Sequence, residues 1–372
     1  MVPPIITFLL VLSLVVLIHE LGHFLAAKMF GVKVHEFGFG YPPRMIGIYK
    51  NLKNRWKIVQ NQDVDDKAKG TVYSINWLPF GGFVRMFGEF ENDAMGSKSD
   101  QAFFNKKKRQ RAIIILAGVF MNIVLAVVLF STIYSISGIP EEVDYITVGA
   151  VAPGSPADTA GFEMGDVVKG IDGVMLSETS DFVENVQDKG GQEVSVLVER
   201  DGRELDLLVT PRENPPANEG AVGVIISKYD NVFYPAWEMP FRGAWVGIQE
   251  AYGWTRMMIE GIGTMIGMLF AGDRPEVTGP VGIYEITSNV AQQGIFPLMK
   301  FVGILSINLA VVNALPFPAL DGGRFVFIML EGVIGRKVKP KIEAYINMAG
   351  MLFLIGLMVL VTIGDVMRLM GR

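Results

Sequence analysis

The sequence predicts a polytopic α-helical membrane protein with about four transmembrane helices and one globular domain inserted between the second and the third. Three observations carry that expectation. Half of the 372 residues are hydrophobic and the mean hydropathy is +0.36, more apolar than a soluble chain of this length usually is. Apolar runs long enough to cross a bilayer occupy about 4–27, 112–137 and 343–363, and a fourth, about 298–330, is interrupted by "NALPFPALDGG". Between the second and third of these the composition returns to an ordinary globular mix.

The first run, within 1–30, has no basic residue before it and no small-residue cleavage site ahead of its histidines, so it is expected to be a retained helix. The loop that follows, 31–111, carries Lys33, Arg44, Lys50, Lys53, Arg55 and Lys57, then "NKKKRQR" at 105–111 against the second span, 112–138. A second basic loop, "GRKVKPK", lies at 335–341. Positive loops stay in the cytoplasm, which places 138–297 and both termini outside it. Four spans satisfy that arrangement. The stretch 243–271 holds Glu250, Arg256 and Glu260 among aromatics and glycines, and is predicted to lie along the outer interface as a helix or helix pair within an extracytoplasmic linker, 214–296. The last two spans are expected at 297–332 and 342–367.

Within the globular insertion, "EVSVLVERDGRELDLLVTPR" at 193–212 alternates as two strands about an "RDGR" turn, and "TSDFVENVQDKG" at 179–190 has helical apolar spacing. The rest of the composition narrows the chemistry. A net charge of −5 and a pI near 5.4 give no sign of a nucleic-acid partner. Cysteine is absent, so disulfides and thiolate metal sites are excluded; His19, His23 and His35 are the full set of histidines.

"VVLIHELGHFLAAKMFGV" at 15–32 places two of those histidines and a glutamate inside an apolar helix. Ionisable groups at membrane depth are costly, and their default meaning is functional. Residues i and i+4 share a helix face, so His19 and His23 can share one zinc ion, with Glu20 beside its water as general base. Coincidence or simple helix packing is the bland alternative. Catalytic zinc takes three protein ligands and keeps one position open. Without another suitable histidine or any cysteine, the third ligand must be a carboxylate: Asp321, Glu331 or Asp365. Asp321 sits at the Pro/Gly break, where irregular backbone is tolerated only if buried in protein or lining a wet cavity. Glu331 is expected to meet the basic loop after it, and Asp365 the outer interface. His35 is expected to be a loop residue, because no glycine-spaced continuation links it to the zinc motif.

The stretch "YITVGAVAPGSPADTAGFEMGDVVKGIDGVML" at 145–176 matches "SPA…AG…GD.V..I.G" and resembles a PDZ domain of the protease-associated bacterial type, covering 143–213. Such a domain captures an extended peptide at a sheet edge, or serves as a rigid spacer. With "HELGH", "GPVGI" at 279–283 and "NALPFPALDGG" at 313–323, most of the chain resembles the site-2 protease family of intramembrane zinc metalloproteases, nearest to the bacterial RseP-type regulator-of-sigma proteases. That resemblance implies one Zn2+ per chain on His19, His23 and Asp321, and Glu20 as the base. It also implies substrate contact by Asn313, Pro316 and Pro318, although Asn313 could equally bond a broken-helix carbonyl. The stretches 37–47 and 71–86 resemble the family's membrane-associated β elements on the cytoplasmic side, proposed to pair with an unwound substrate. Gly118 and Asn122 fit either a family small-residue contact or plain helix packing, and packing is the expectation here. Better-known RseP-type proteins carry two tandem PDZ domains, whereas this chain has room for one.

The expected function is thus cleavage of single-pass membrane proteins within or near their spans, such as anti-sigma factors or signal-peptide remnants, in the bacterial inner membrane. The PDZ domain and both termini would be extracytoplasmic. A catalytically silent PDZ-containing membrane scaffold is the alternative.

Overall fold

A mostly apolar run with no proline past its first turn carries the first helix, α1, over Pro4–Met29. Pro4 occupies its first turn, where a missing N–H costs nothing, and Gly31 at φ +66° turns the chain out of it. The structure, a computed structural model, describes residues 3–62, 64, 69–89, 99–216, 219–273, 277–336, 338 and 340–370. Asp63 and residues 65–68 and 90–98 of the 31–111 loop, and Lys337 and Lys339 of the second basic loop, lie outside these. The chain divides into two compact units, Met1–Ile133 with Gly243–Arg372, and Tyr134–Arg242.

In the first unit, α1 is followed by β1 (Val34–Lys50), β2 (Trp56–Val59) and β3 (Val72–Met86). Their register shows that both long strands double back. Residues 36–39 align with 82–85 on one side and 72–75 on the other, while 44–48 lies beside 73–76 and 47–50 beside 56–59. Gly40 (φ +78°) and Gly81 (φ +74°) sit near the two reversals, in a backbone region that favours glycine. Part of this sheet has its polarity inverted: Glu36, Ser74 and Asn76 are buried and Ile48, Ile58, Tyr73, Ile75 and Trp77 are exposed, while Val34, Tyr49, Val59, Val72 and Met86 of the same strands are buried. His35, expected in a loop, lies in β1 instead. Pairing of Val34 with Met86 starts the strand before the glycine-rich stretch, and the His35 ring packs 5.5 Å from that of Phe87.

Helix α2 covers Lys108–Ser137. The second unit then runs β4 (Ile139–Val151), α3 (Pro156–Ala160), β5 (Val167–Ile171), β6 (Val174–Met175), α4 (Thr179–Asp188), β7 (Val194–Arg200), β8 (Arg203–Val209) and β9 (Val224–Val232). The sheet order is β8-β7-β5-β4-β9, with β6 on β5. The "RDGR" turn has φ +51° at Asp201 and +74° at Gly202, the paired left-handed residues that match strand twist in a two-residue hairpin. Alternating inward residues, among them Ile146, Val148, Val168, Val196 and Val198, close over Phe182 and Val186 of α4. This sheet takes its edge strand β9 from the stretch expected to be linker, because Val224–Val232 pairs along β4. A groove lined by Phe182, Val183 and Val186 opposite Val224 and Ile226 separates α4 from β9.

Back in the first unit, α5 is one helix over Met239–Ala271, followed by α6 (Pro280–Gln292), α7 (Ile295–Ala314), α8 (Asp321–Ile334) and α9 (Pro340–Leu369). Among the described residues, four helices are long and apolar enough to cross a membrane: Pro4–Met29, Lys108–Ser137, Ile295–Ala314 and Lys341–Arg368. The interrupted run is therefore two helices, α7 and α8, joined by residues 315–320.

Candidate metal centre

The local sequence explains why Asp321 can turn inward. The chain leaves α7 at Leu315, reverses through Ala319 (φ +73°) and restarts as α8 with Asp321 in its first turn. The reversal is tight: a β-carbon at Gly322 would strike the carbonyls of Ala314 and Leu315, and one at Gly323 that of Phe317. From α9, Asn347 Oδ1 accepts the Ala319 N–H at 3.1 Å. Gly350 packs so closely on Pro318 that a side chain there would collide with it.

His19 and His23 project from one face of α1, with ring centroids 4.8 Å apart and nearly perpendicular planes. Their Nε2 atoms lie 3.1 Å from each other, and Asp321 Oδ2 lies 3.0 Å from His19 Nε2 and 3.1 Å from His23 Nε2. Both histidines are buried. These edges approach the roughly 3.3 Å expected between ligands of a tetrahedral zinc with bonds of about 2.0–2.1 Å. Further observations fit a cation. His23 Nδ1 is 2.8 Å from the Ile114 carbonyl oxygen, so it carries the proton and Nε2 presents a lone pair. Asp321 Oδ2 has no hydrogen-bond partner among the described residues, despite two nitrogens beside it. Three electron-pair donors converging in a buried space repel one another unless a positive ion joins them.

Helix α2 makes room for this cluster. A β-carbon at Gly118 would overlap His23 Nε2 and come within 2.7 Å of His19 Cε1, and one at Gly22 would strike the backbone of Ala117. Four residues after Gly118, the fully buried Asn122 has its amide 3.4 Å from His19 Nδ1. Spacing alone could be read as helix packing for both positions. What the sequence did offer was an asparagine within an apolar span, a polar group that needs a partner. Glu20 is next to His19 on α1, the helix that packs against β3.

The other expected residues fall as follows. Asn313 lies in the last turn of α7, and Pro316 and Pro318 lie in the 315–320 connection. Glu331 is buried in an ion pair with Arg111 of α2 and also accepts the Val338 N–H at 3.3 Å, so its charge partner comes from the first basic loop. Asp365, expected at an outer interface, is buried and accepts the N–H groups of Gly279 (3.2 Å) and Gly282 (3.0 Å) at the start of α6. Of the three carboxylates weighed as third ligand, Asp321 is the one that meets the histidines.

Comparison with known proteins agrees with this chemistry. The model of Peptidase family M50 matches residues 7–60 and 64–357. A protein of Clostridium perfringens (strain 13) is 34% identical over 365 residues, covering 97% of this chain and 98% of its own. The zinc metalloprotease RasP of Geobacillus kaustophilus is 30% identical and covers 98% of each chain. The regulator of sigma-W protease RasP of Bacillus subtilis is 27% identical, again over 98% of each. Among solved structures, the PDZ domain of an SdrC-like protein from Listeria monocytogenes aligns with 24% of this chain and 93% of its own, at 17% identity and a TM-score of 0.21. The match to the family model and to full-length relatives makes this chain a protease whose cofactor is Zn2+: it belongs to peptidase family M50, the site-2 zinc metalloproteases.

Proposed function

We propose that this protein is an intramembrane endopeptidase of the bacterial inner membrane that cleaves single-pass membrane proteins within their spanning helices, anti-sigma factors or signal-peptide remnants among them. The observation that carries this reading is the meeting of His19, His23 and Asp321 at a break between two apolar helices. The three side chains are the ligands, and zinc held there supplies Lewis acidity to a water and to the scissile carbonyl. Glu20 takes the proton from the attacking water and returns it to the leaving amine.

Asn313, Pro316 and Pro318 contact the substrate, with the Asn313 amide stabilising charge that develops on the carbonyl oxygen. The exposed apolar residues of the β1–β3 sheet support a membrane setting, since lipid accepts its outer Ile48, Tyr73, Ile75 and Trp77. The four long apolar helices are the spans, with both termini and the PDZ domain outside the cytoplasm and α5 along the outer surface. The PDZ domain takes extended peptide in the groove between α4 and β9.

The decisive experiment compares the parent with Glu20→Gln, both purified in detergent, on a tagged single-pass helix with metal content measured. Cleavage by the parent that stops with a chelator, and is absent from Glu20→Gln at equal zinc content, is the expected result. Absence of stoichiometric metal from the parent would overturn the ligand assignment and leave the scaffold.

A further inference from the structure

We infer that Asn122 is a positioning residue for the metal centre, its side-chain oxygen accepting the Nδ1–H of His19 and so holding that imidazole with Nε2 toward His23 and Asp321. The inference rests on the ligand assignment proposed above. The two histidines use Nε2 toward the cluster, so each must carry its proton on Nδ1 and donate it elsewhere. For His23 the acceptor is plain: the Ile114 backbone carbonyl at 2.8 Å. For His19 the neighbour of Nδ1 is the Asn122 amide, placed with Nδ2 at 3.4 Å. That orientation points a donor at a donor. It also leaves Asn122 Oδ1, in a residue with 0% exposure, without a hydrogen-bond partner among the described residues. The two ends of a side-chain amide are interchanged by a half-turn about one bond and differ little in shape. Turning this amide over resolves both faults at once: Oδ1 meets the His19 proton and no donor faces a donor.

The backbone holds the amide where it is needed. The Asn122 carbonyl accepts the Ser306 hydroxyl at 2.8 Å, tying α2 to α7 at this level without using the Asn122 side chain. Gly118, one turn earlier, leaves the space into which both rings fit. The centre is therefore asymmetric. The orientation of His23 depends on a main-chain oxygen that no substitution removes, whereas that of His19 depends on one side chain.

Outer partners of metal-bound histidines are typically worth about 10–100-fold in metal affinity. The test measures zinc affinity by chelator competition on the purified full chain, with thermal unfolding of the metal-free form and the visible spectrum of the cobalt-loaded form. The variants are Asn122→Leu, which keeps the shape but lacks an acceptor, and Asn122→Asp, which keeps an acceptor; His19→Ala is the control. Asn122→Leu is expected to bind zinc about 10–100-fold more weakly and to shift the cobalt bands, with metal-free unfolding unchanged or higher. Asn122→Asp is expected to restore affinity to within about threefold of the parent, because a carboxylate serves the same imidazole proton. Parent-like affinity in Asn122→Leu overturns the inference, and so does equal weakening of both variants, which would mean that packing alone matters. If Asn122→Leu cannot be recovered folded, Asn122→Ala takes its place with the same expected loss. A parent that binds no zinc, or a His19→Ala variant that binds it as the parent does, overturns the ligand assignment beneath and is distinct from either failure.

Discussion

Gly118 of α2 faces His23 so closely that a single added methyl would occupy the volume of the imidazole nitrogen. Glycine inside a helix costs about 1 kcal/mol relative to alanine, so packing alone would reward the replacement. The metal centre predicts the opposite for function. Gly118→Ala should weaken zinc binding by at least about tenfold, since misplaced ligands lose more than a misplaced outer partner does. Chelator competition gives the value, and a parent-like affinity would show that the rings have room to spare.

Asp321 is the charged member of the ligand set and the one that depends on the Pro/Gly reversal. Asp321→Asn should lose more zinc affinity than the roughly 10–100-fold that outer partners contribute, and should abolish proteolysis with it. Metal analysis of the purified variant checks this. Zinc retained at one per chain would demand another carboxylate, and neither Glu331 nor Asp365 is near.

One turn beyond Asp321, Arg324 Nη1 lies 2.6 Å from Glu89 Oε1, and both side chains are largely buried. Removing one member of such a pair leaves an uncompensated charge, worth about 3–5 kcal/mol when burial is complete. Glu89→Gln should therefore destabilise the first unit by about 3 kcal/mol. Arg324→Met in the same chain should recover most of it. Denaturation of the single and double variants in detergent closes the cycle, and simple additivity would mean that the pair is uncoupled.

In the second unit the pH dependence has a definite sign. Burial alone would raise the Asp166 carboxyl, but Arg200 outweighs it, donating at 2.6 Å and 2.8 Å, and the Glu163 N–H adds to the effect; the net result lies below the ordinary aspartate value. A carboxyl lowered in the folded state stabilises it above its unfolded value and loses that contribution as pH falls through the folded value. Unfolding of this unit should thus become easier below about pH 4. In Asp166→Asn that acid-dependent portion should vanish, at a cost near 2 kcal/mol at neutral pH. Unfolding midpoints between pH 3 and pH 7 would show it, and parallel curves for parent and variant would refute it.

Much of the centre was legible because its signals are local. Two histidines one helical turn apart declare a shared face, and apolar flanks declare the cost of placing them there. The Asp201–Gly202 turn and the alternation around it were equally plain, since hairpin twist selects its residues within a few positions. The Pro/Gly break also marked Asp321, because irregular backbone among apolar residues needs a purpose.

What the sequence by itself determined was a set of elements and a short menu of ligands: α1 with His19, Glu20 and His23, the interrupted α7–α8 segment with Asp321, and a globular insertion. Which distant groups meet was decided by the tertiary structure. Gly118 and Asn122 looked like packing until α2 brought them against the imidazoles. Glu331 was expected to meet the basic loop after it and Asp365 the outer interface, but Arg111 and the start of α6 supplied their buried partners. His35 became a strand residue, and β9 joined its sheet, through pairings made across the chain. The physical reason is that periodicity reports only which face a residue occupies, whereas the worth of a buried polar group depends on the atom opposite it, which close packing supplies from elsewhere in the sequence.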